Sequence, residues 1–288
     1  MSTHTPYPQP EPPAPPNPEP RRSSATKPIM ITLAIVGALA LVGVLVTTLL
    51  SSIIGLSSQG SASQTADTTG VTQLELNSNA GNVNILFDDV DQATLDATGQ
   101  HADRWELVHR GDTLAVNAPD TWWSWCWFNC EGTEVTVTLP QELNNGTLNA
   151  EFDLNAGRLD ATGNFNELAV ELNAGEINVG GAARALQTEV NAGNANLQLA
   201  DVETASFEVA AGRIDSELTG TAPTTTDIDV SAGQLILALP DAEYAVVSDS
   251  SAGSINNNLR TASDAPHRVT VDIAAGDVTL RPGQTPTE

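Results

Sequence analysis

The sequence predicts an all-β fold: a single-stranded β-solenoid (β-helix-like) ectodomain of about eight coils, preceded by one transmembrane helix and a disordered Pro-rich tail. Three observations lead to this prediction. A glycine-centred phrase recurs, apolar and polar residues alternate around each copy, and one long N-terminal stretch lacks charge. We expect the tail over residues 1–28, the helix over 29–55, a flexible linker over 56–70 and the solenoid over 71–283.

The N-terminal tail is dominated by proline. Residues 5–20 read "TPYPQPEPPAPPNPEP" and are half proline. Proline rings favour extended polyproline II and cannot fill a core, so this composition predicts a disordered spacer. A docking motif for a proline-reading partner is the alternative.

The next segment is long enough to cross a bilayer. Between Lys27 and Asp67 the chain carries no charge, and Ile29 to Ile54 exceed the roughly 20 apolar residues that a spanning helix needs. Basic residues lie only on the N-terminal flank, which places the tail in the cytoplasm and the C-terminal domain outside the cell. A cleaved signal peptide is the alternative, but its apolar region is normally only about 7–15 residues long.

The repeated phrase is built on Ala-Gly. Eight glycines align, and from the second copy onward they recur every 18 to 23 residues: Gly81, Gly157, Gly175, Gly193, Gly212, Gly233, Gly253 and Gly276. The residue after each glycine is polar and the next is Val, Leu, Ile or Ala, which is the alternation of a strand with one buried face. Each repeat therefore predicts a strand, a glycine corner, a second strand and a variable return loop.

Coils of this size cannot bury an apolar face alone. Successive coils stacked in parallel at about 4.8 Å would bury one continuous column of Val, Ile and Leu. Glycine suits the corner because it tolerates positive φ. The recurring Asn155, Asn173 and Asn191 predict a ladder of amides bonded from coil to coil, with a row of ligand-binding asparagines as the alternative.

The first glycine copy is 76 residues away from the second. The intervening "RWELVHRGDTLAVNAP" and "TEVTVTLP" are strand-like and predict an irregular opening section of the same sheet. Here the succession "LELNSNAGNVNI", "GDTLAVN" and "VTVTLP", followed by serial Ala-Gly coils, resembles the bacterial putative-adhesin family of β-strand repeats. The resemblance covers roughly residues 71–281. It implies an envelope-associated β-helix-like domain of unknown function, and it carries over no catalytic residue.

Charge is distributed unevenly along the chain. The net charge is −25, and beyond residue 28 there are 34 acidic side chains against 8 basic ones. Such a surface repels phosphate backbones, so we expect no nucleic-acid partner. The sequence identifies no small-molecule substrate, no cofactor and no metal site.

The two cysteines lie in "CWFNC". For an extracytoplasmic chain, Cys126 and Cys130 predict a disulfide that closes a tight turn. Zinc held with His101 and His109, or two free thiols, are the alternatives.

Four tryptophans crowd the same segment. Trp122, Trp123, Trp125 and Trp127 lie in "TWWSWCWF". One interpretation is a hairpin that caps the open end of the solenoid. The other is an interaction surface for a sugar, a lipid surface or a protein, because clustered exposed aromatic residues are typical of interfaces.

Three functions are weighed from these sequence features. The first is a membrane-anchored, non-enzymatic module for envelope structure, adhesion or interaction with wall polymer, protein or another cell. The second is envelope sensing, with signalling through the cytoplasmic tail. The third is a β-helix polysaccharide-active enzyme, which would need a base beside clustered carboxylates. Arg158 and Arg213 lie three coils apart, about 14 Å, and cannot meet in one small site, so we expect no enzyme.

The topology is testable on cells. Protease added to intact, wall-stripped cells should digest the repeats and leave residues 1–28 protected, because the tail is predicted on the cytoplasmic side. Mass spectrometry of the membrane fraction reads out the surviving peptide. A mature N-terminus near Ser61–Ala66 would instead show that the apolar segment is a cleaved signal peptide.

Overall fold

The computed structural model describes residues 60–99, 101–119 and 133–283. Across these ranges the regular structure is β, apart from 3₁₀ turns at Ala102–Arg104 and Gln141–Leu143. The Pro-rich tail and the apolar segment over 29–55 lie outside the described residues. The flexible linker predicted over 56–70 does not extend that far, because Ser61–Ala66 is a strand that pairs with Ala93–Thr98 in the sheet. Within the described ranges, no helix is long and apolar enough to cross a membrane.

Twenty strands form one hydrogen-bonded sheet. In chain order they are β1 (Ser61–Ala66), β2 (Gln73–Ser78), β3 (Asn82–Asp88), β4 (Ala93–Thr98), β5 (Glu106–Arg110), β6 (Thr113–Asn117), β7 (Glu134–Pro140), β8 (Leu148–Leu154), β9 (Arg158–Leu172), β10 (Glu176–Val190), β11 (Asn194–Ala200), β12 (Thr204–Val209), β13 (Arg213–Thr219), β14 (Thr225–Val230), β15 (Gln234–Leu239), β16 (Glu243–Ser250), β17 (Ser254–Asn257), β18 (Arg260–Thr261), β19 (His267–Ile273) and β20 (Asp277–Pro282).

The strands pair in two ladders joined by the corners. Ladder A holds the strands that follow the repeat glycines, together with β1, β4 and β7. Its spatial order is β1, β4, β7, β3, β9, β10, β11, β13, β15, β20, β17. Ladder B holds the strands that precede the repeat glycines, together with β5, β6 and β18. Its spatial order is β5, β6, β2, β8, β9, β10, β12, β14, β19, β16, β18. Pairing is parallel except for β1–β4, β4–β7 and β5–β6.

The alternation predicted from sequence is confirmed along the core. The residue two positions after the glycine is at most 2% exposed in seven of the eight coils: Val83, Leu159, Ile177, Ala195, Ile214, Leu235 and Val278. In the eighth coil Ile255 is only partly buried. This difference marks the Ile255 coil as the end of the apolar column.

Stacking in chain order is the prediction that the structure overturns at the C-terminal end. The last coil of the chain, β19–β20, pairs with β14 and β15, while β16–β17 lies outside it. Burial explains the exchange. Val271 and Ile273 are buried between two coils, whereas the residues paired with them, Ser248 and Ser250, are exposed. The more apolar coil takes the interior position and the more polar one faces solvent.

The N-terminal end departs from chain order as well. The Gly81 coil pairs directly with the Gly157 coil, through β2–β8 and β3–β9. Strands β4 to β7 lie on the other side of it within the same sheet, as the sequence predicts for an irregular opening section. Trp105 is 1% exposed at this end, and the Gln64 side chain accepts a hydrogen bond from Leu107 N–H at 3.0 Å.

Return loops are absent from the first regular coils, where the sequence predicted one per repeat. β9 and β10 each run for 15 residues and change ladder without interruption. They bend at Gly163 and Gly181, and Gly181 has φ +121°. A Cβ on Gly181 would lie less than 3.0 Å from the carbonyl oxygen of Gly163, so these glycines form a second corner in which two backbones approach closely.

The eight repeat glycines form a column. For seven of them, a Cβ would lie less than 3.0 Å from the carbonyl oxygen of the glycine in the next coil. Only Gly81, Gly157, Gly175 and Gly193 have positive φ, so positive φ does not explain the residue at all eight corners. Close backbone approach is the requirement that nearly all of them share.

Substituting two glycines by alanine distinguishes the cost of close backbone approach from the cost of backbone strain. Gly175 and Gly146 both have positive φ, but nothing lies within 4 Å of a Cβ at Gly146. Gly146→Ala should therefore cost only the strain of about 1–2 kcal/mol. Gly175→Ala should cost a further ~1–3 kcal/mol, because the new methyl overlaps the neighbouring corner. Urea unfolding measures both; equal losses would show that the column is not sterically constrained.

Candidate functional site

One row of carboxylates crosses the outer face of ladder B. Parallel register aligns seven acidic residues, one per coil, which we call the carboxylate row: Asp153, Glu171, Glu189, Glu208, Asp229, Asp272 and Asp249. Neighbouring strands lie about 4.8 Å apart, so each of the five inner carboxylates faces a like charge on either side, and the two at the ends face one each. None of the three ion pairs among the described residues includes a member of the row.

Burial and neighbouring like charges raise the pKa of two members of this row. Burial, followed by the charges of Glu171, Glu151, Glu75 and Glu189, raises the pKa of Asp153 to about 6. Burial and then the neighbouring acids also raise the pKa of Glu208. Like charges directly opposite one another on adjacent strands are destabilising, so the row weakens the fold at neutral pH.

The corner asparagines form the predicted ladder. Asn155 Nδ2 donates to Asn79 Oδ1, Asn173 Nδ2 to Asn155 Oδ1 and Asn191 Nδ2 to Asn173 Oδ1, each at 3.1 Å. The ladder therefore includes Asn79 of the isolated first repeat. It continues to the backbone, because Asn79 Nδ2 donates to the carbonyl oxygen of Pro119 at 3.3 Å.

An open polar groove lies where the amide ladder meets the carboxylate row. It has a volume of about 680 Å³. Among the described residues that line it, five are asparagines, two are arginines, three are acids and two are small and apolar. The lining residues are Asn77, Asn79, Asn117, Asn155, Asn173, Arg104, Arg110, Glu106, Asp153, Glu171, Ala118 and Pro119. We call this the amide groove.

The arginines considered for catalysis occupy one row on ladder A. Arg158 and Arg213 are three register steps apart, as the repeat spacing predicts. Arg158 forms an ion pair with Glu176 at 2.6 Å, and Arg213 forms one with Asp215 at 3.6 Å. The two guanidinium groups are thus engaged separately and do not share a site.

The sequence-predicted disulfide and aromatic cluster lie outside the described residues. Cys126, Cys130, Trp122, Trp123, Trp125 and Trp127 all belong to the segment between residues 119 and 133. The flanks of this segment are placed at the corner beside Gly81. Ala118 N–H donates to the carbonyl oxygen of Asn77 at 2.8 Å, and Asn82 N–H donates to that of Thr133 at 2.8 Å.

The histidines proposed as alternative zinc ligands have local roles. His109 Nε2 lies 3.0 Å from the carbonyl oxygen of Gly111, and His101 has φ 62° in the turn before Ala102–Arg104. Among the described residues no group of three or more His, Cys, Asp or Glu side chains could hold a metal ion.

Comparison with known proteins identifies the family. The model of the family described as Toastrack DUF4097 matches residues 71–285, about three quarters of the chain. The chain belongs to this family. The resemblance to β-strand repeats of the adhesin type is therefore confirmed for the toastrack domain. No curated protein matches the chain.

Two solved structures are similar to the toastrack domain. A putative cell adhesion protein from Clostridium sporogenes ATCC 15579 is 12% identical, with a TM-score of 0.36. A putative adhesin (BF0245) from Bacteroides fragilis NCTC 9343 is 14% identical, with a TM-score of 0.40. In each comparison 77% of this chain and 98% of the other chain are covered. Both TM-scores are below 0.5, so these similarities carry no argument about function.

The carboxylate row of the toastrack domain was missed at the sequence level, although a signal exists. Seven of the eight repeat glycines are preceded, four positions earlier, by Asp or Glu, and Asn77 takes that position in the first repeat. The predicted repeat was defined by its apolar positions and its glycine corner, and this acidic position is part of neither. The amide groove has no comparable signal, because its walls come from residues 77 to 173 and meet only through the pairing of β2, β6 and β8.

The carboxylate row predicts a stability that increases in mild acid. The folded-state pKa of Asp153, about 6, is above its ordinary value of 3.8, so folding favours the protonated form. Stability is therefore gained as pH falls through 6 and is lost as pH rises above it. We expect the Tm to rise by about 2–4 °C between pH 7 and pH 5.

Two variants test whether Asp153 causes this pH dependence of the Tm. Asp153→Asn should raise the Tm at pH 7 and flatten the profile between pH 5 and 7, because the repelled charge is gone. Glu203→Gln removes an exposed acid outside the row and should leave the profile unchanged. Added salt should also raise the wild-type Tm at pH 7 by screening the row. A Tm that falls on acidification would contradict this account.

Proposed function

We propose that this chain is a membrane-anchored, non-enzymatic module of the cell envelope, whose toastrack domain binds a partner on its outer face. The observation that carries the proposal is the register of ladder B. Every coil presents the same outward positions, so polar groups repeat at about 4.8 Å across many strands. An extended array of this kind suits adhesion to a long or repetitive partner.

The sequence supports the anchor and the orientation. Residues 29–55 are long and apolar enough for one spanning helix, and the basic residues Arg21, Arg22 and Lys27 precede it. We therefore infer a single-pass protein of the cell membrane, with a cytoplasmic N-terminal tail and an extracellular toastrack domain. Any spacer between them is short, because Ser61–Ala66 already forms β1 of the sheet.

The arrangement of charged groups supports binding over catalysis. A polysaccharide-active enzyme of the kind considered from the sequence would need a base beside clustered carboxylates. Arg158 and Arg213 each pair with a separate carboxylate on ladder A. These contacts favour a surface that holds a partner unchanged.

The proposal is tested with the full chain in nanodiscs. Its binding to intact cells, purified wall material, isolated wall polymers and lipid vesicles would be measured by biolayer interferometry, with empty nanodiscs as the control. We expect saturable binding to at least one extracellular envelope component. Chromatography of the wall polymers after incubation should show no change in chain length, since the module is not expected to cleave them.

Three outcomes would contradict the proposal. Release of soluble polymer fragments would indicate an enzyme. Capture of a partner only through residues 1–28 would favour the signalling role of the tail. Absence of binding to every component, with a folded domain by circular dichroism, would argue against an adhesion or interaction module.

A further inference from the structure

The amide groove has the composition of a site for hydroxyl groups. Among the described residues that line it, only Ala118 and Pro119 are apolar, so this part of the lining offers little to an apolar ligand. Its volume of about 680 Å³ falls within the ~300–1,000 Å³ that is common for ligand sites. Amide, guanidinium and carboxylate groups together offer both donors and acceptors, which polyhydroxylated molecules require.

The groove is also periodic. Its floor follows one register line across five strands, through Glu106, Asn117, Asn77, Asp153 and Glu171. Four strand spacings of about 4.8 Å give it a length of roughly 19 Å. An extended sugar residue is close in length to one strand spacing, so successive sugars of a chain would meet successive strands.

The amides along its side retain hydrogen-bonding capacity. Asn155 donates one N–H to Asn79 and accepts one from Asn173, and its side chain is exposed. An asparagine amide has two N–H groups and an oxygen with two lone pairs. One donor and one acceptor position of Asn155 thus remain for a ligand, while the ladder bonds hold the amide in a fixed orientation.

The charges of the groove select the ligand class. Two arginines and three acids line the groove: Arg104, Arg110, Glu106, Asp153 and Glu171. The groove belongs to a chain with a net charge of −25. An anionic polymer would meet the carboxylates and the surrounding negative field, and a cationic one would meet the arginines. An uncharged chain avoids both penalties.

We propose that the amide groove binds an uncharged glycan chain, bearing hydroxyl and acetamido groups, laid across the strands of ladder B. This inference rests on the proposed envelope role and specifies its partner. The amides of Asn77 and Asn117 pair with the acetamido and hydroxyl groups of successive sugars. The carboxylates of Asp153 and Glu171 accept hydroxyl protons at the other end of the groove.

Matched variants test the groove in the full chain. Asn77 Nδ2 donates to Asn117 Oδ1 at 3.3 Å, so the double variant Asn77→Ala/Asn117→Ala removes both partners and leaves neither unpaired. The control is Asn194→Ala/Asn196→Ala, which removes two exposed asparagines from ladder A. Thermal unfolding should show both variants folded, with a Tm within a few degrees of the wild type.

The probes are tetrasaccharides of three charge types, titrated by calorimetry into the nanodisc-bound chain. They are β-1,4-linked N-acetylglucosamine, its fully deacetylated form and oligogalacturonate. We expect saturable binding of the neutral probe, at least about tenfold weaker binding of both charged probes, and a further tenfold loss, about 1.4 kcal/mol, in the groove variant. The ladder A control should bind as the wild type does.

Hydrogen exchange on the wild-type chain gives a readout that does not depend on the variants. The neutral probe should protect residues 73–79, 104–119 and 149–155, and should leave residues 194–217 unchanged. Equal affinity of the groove variant and the control, protection elsewhere, or a preference for a charged probe would overturn the assignment. Binding of another envelope component without the neutral probe would also overturn it, yet would leave the envelope role standing.

Discussion

Both ladders are built around the close approach of glycine backbones at the corners. Parallel strands must lie about 4.8 Å apart to form their hydrogen bonds, and the chain must also turn between ladders at every coil. A side chain at the turn would occupy the space of the next coil's carbonyl, as it would at Gly175. Once the corners stack, the register of the ladder A strands that follow them is fixed, because each of these strands begins one residue beyond its glycine.

Register then determines what every column contains. Inward positions repeat Val, Ile, Leu and Phe, and their burial stabilises the stack. Outward positions repeat as well. The same register therefore brings identical side chains together whether their interaction is stabilising or destabilising. Amides gain from the arrangement because each can donate to one neighbour and accept from the other, as Asn155 and Asn173 do. Carboxylates only accept when ionised, so the same geometry makes the carboxylate row repulsive, and this repulsion adds to burial in raising the pKa of Asp153.

A repulsive row and a polar groove are features that the core does not need. The inward columns would be as well buried if Glu189 or Glu208 were neutral, since these side chains point to the outer face. Natural chains commonly carry such local costs where a surface has a use. The carboxylate row and the amide groove share Asp153 and Glu171, so the two features form one continuous polar surface on ladder B.

The fold class could be predicted from the sequence, because the glycine spacing and the period-two alternation are local and each copy repeats the same information. So could the amide ladder and the inward residues such as Ile177. The order of the coils was decided only by the tertiary structure. The segments ending at Gly253 and Gly276 both carry the repeat pattern, and which one is interior depends on comparing the burial of Ile273 with that of Ser250. The amide groove could not be predicted from local sequence either. Asn77, Asn117 and Asp153 are distant in the chain and become neighbours only through strand pairing.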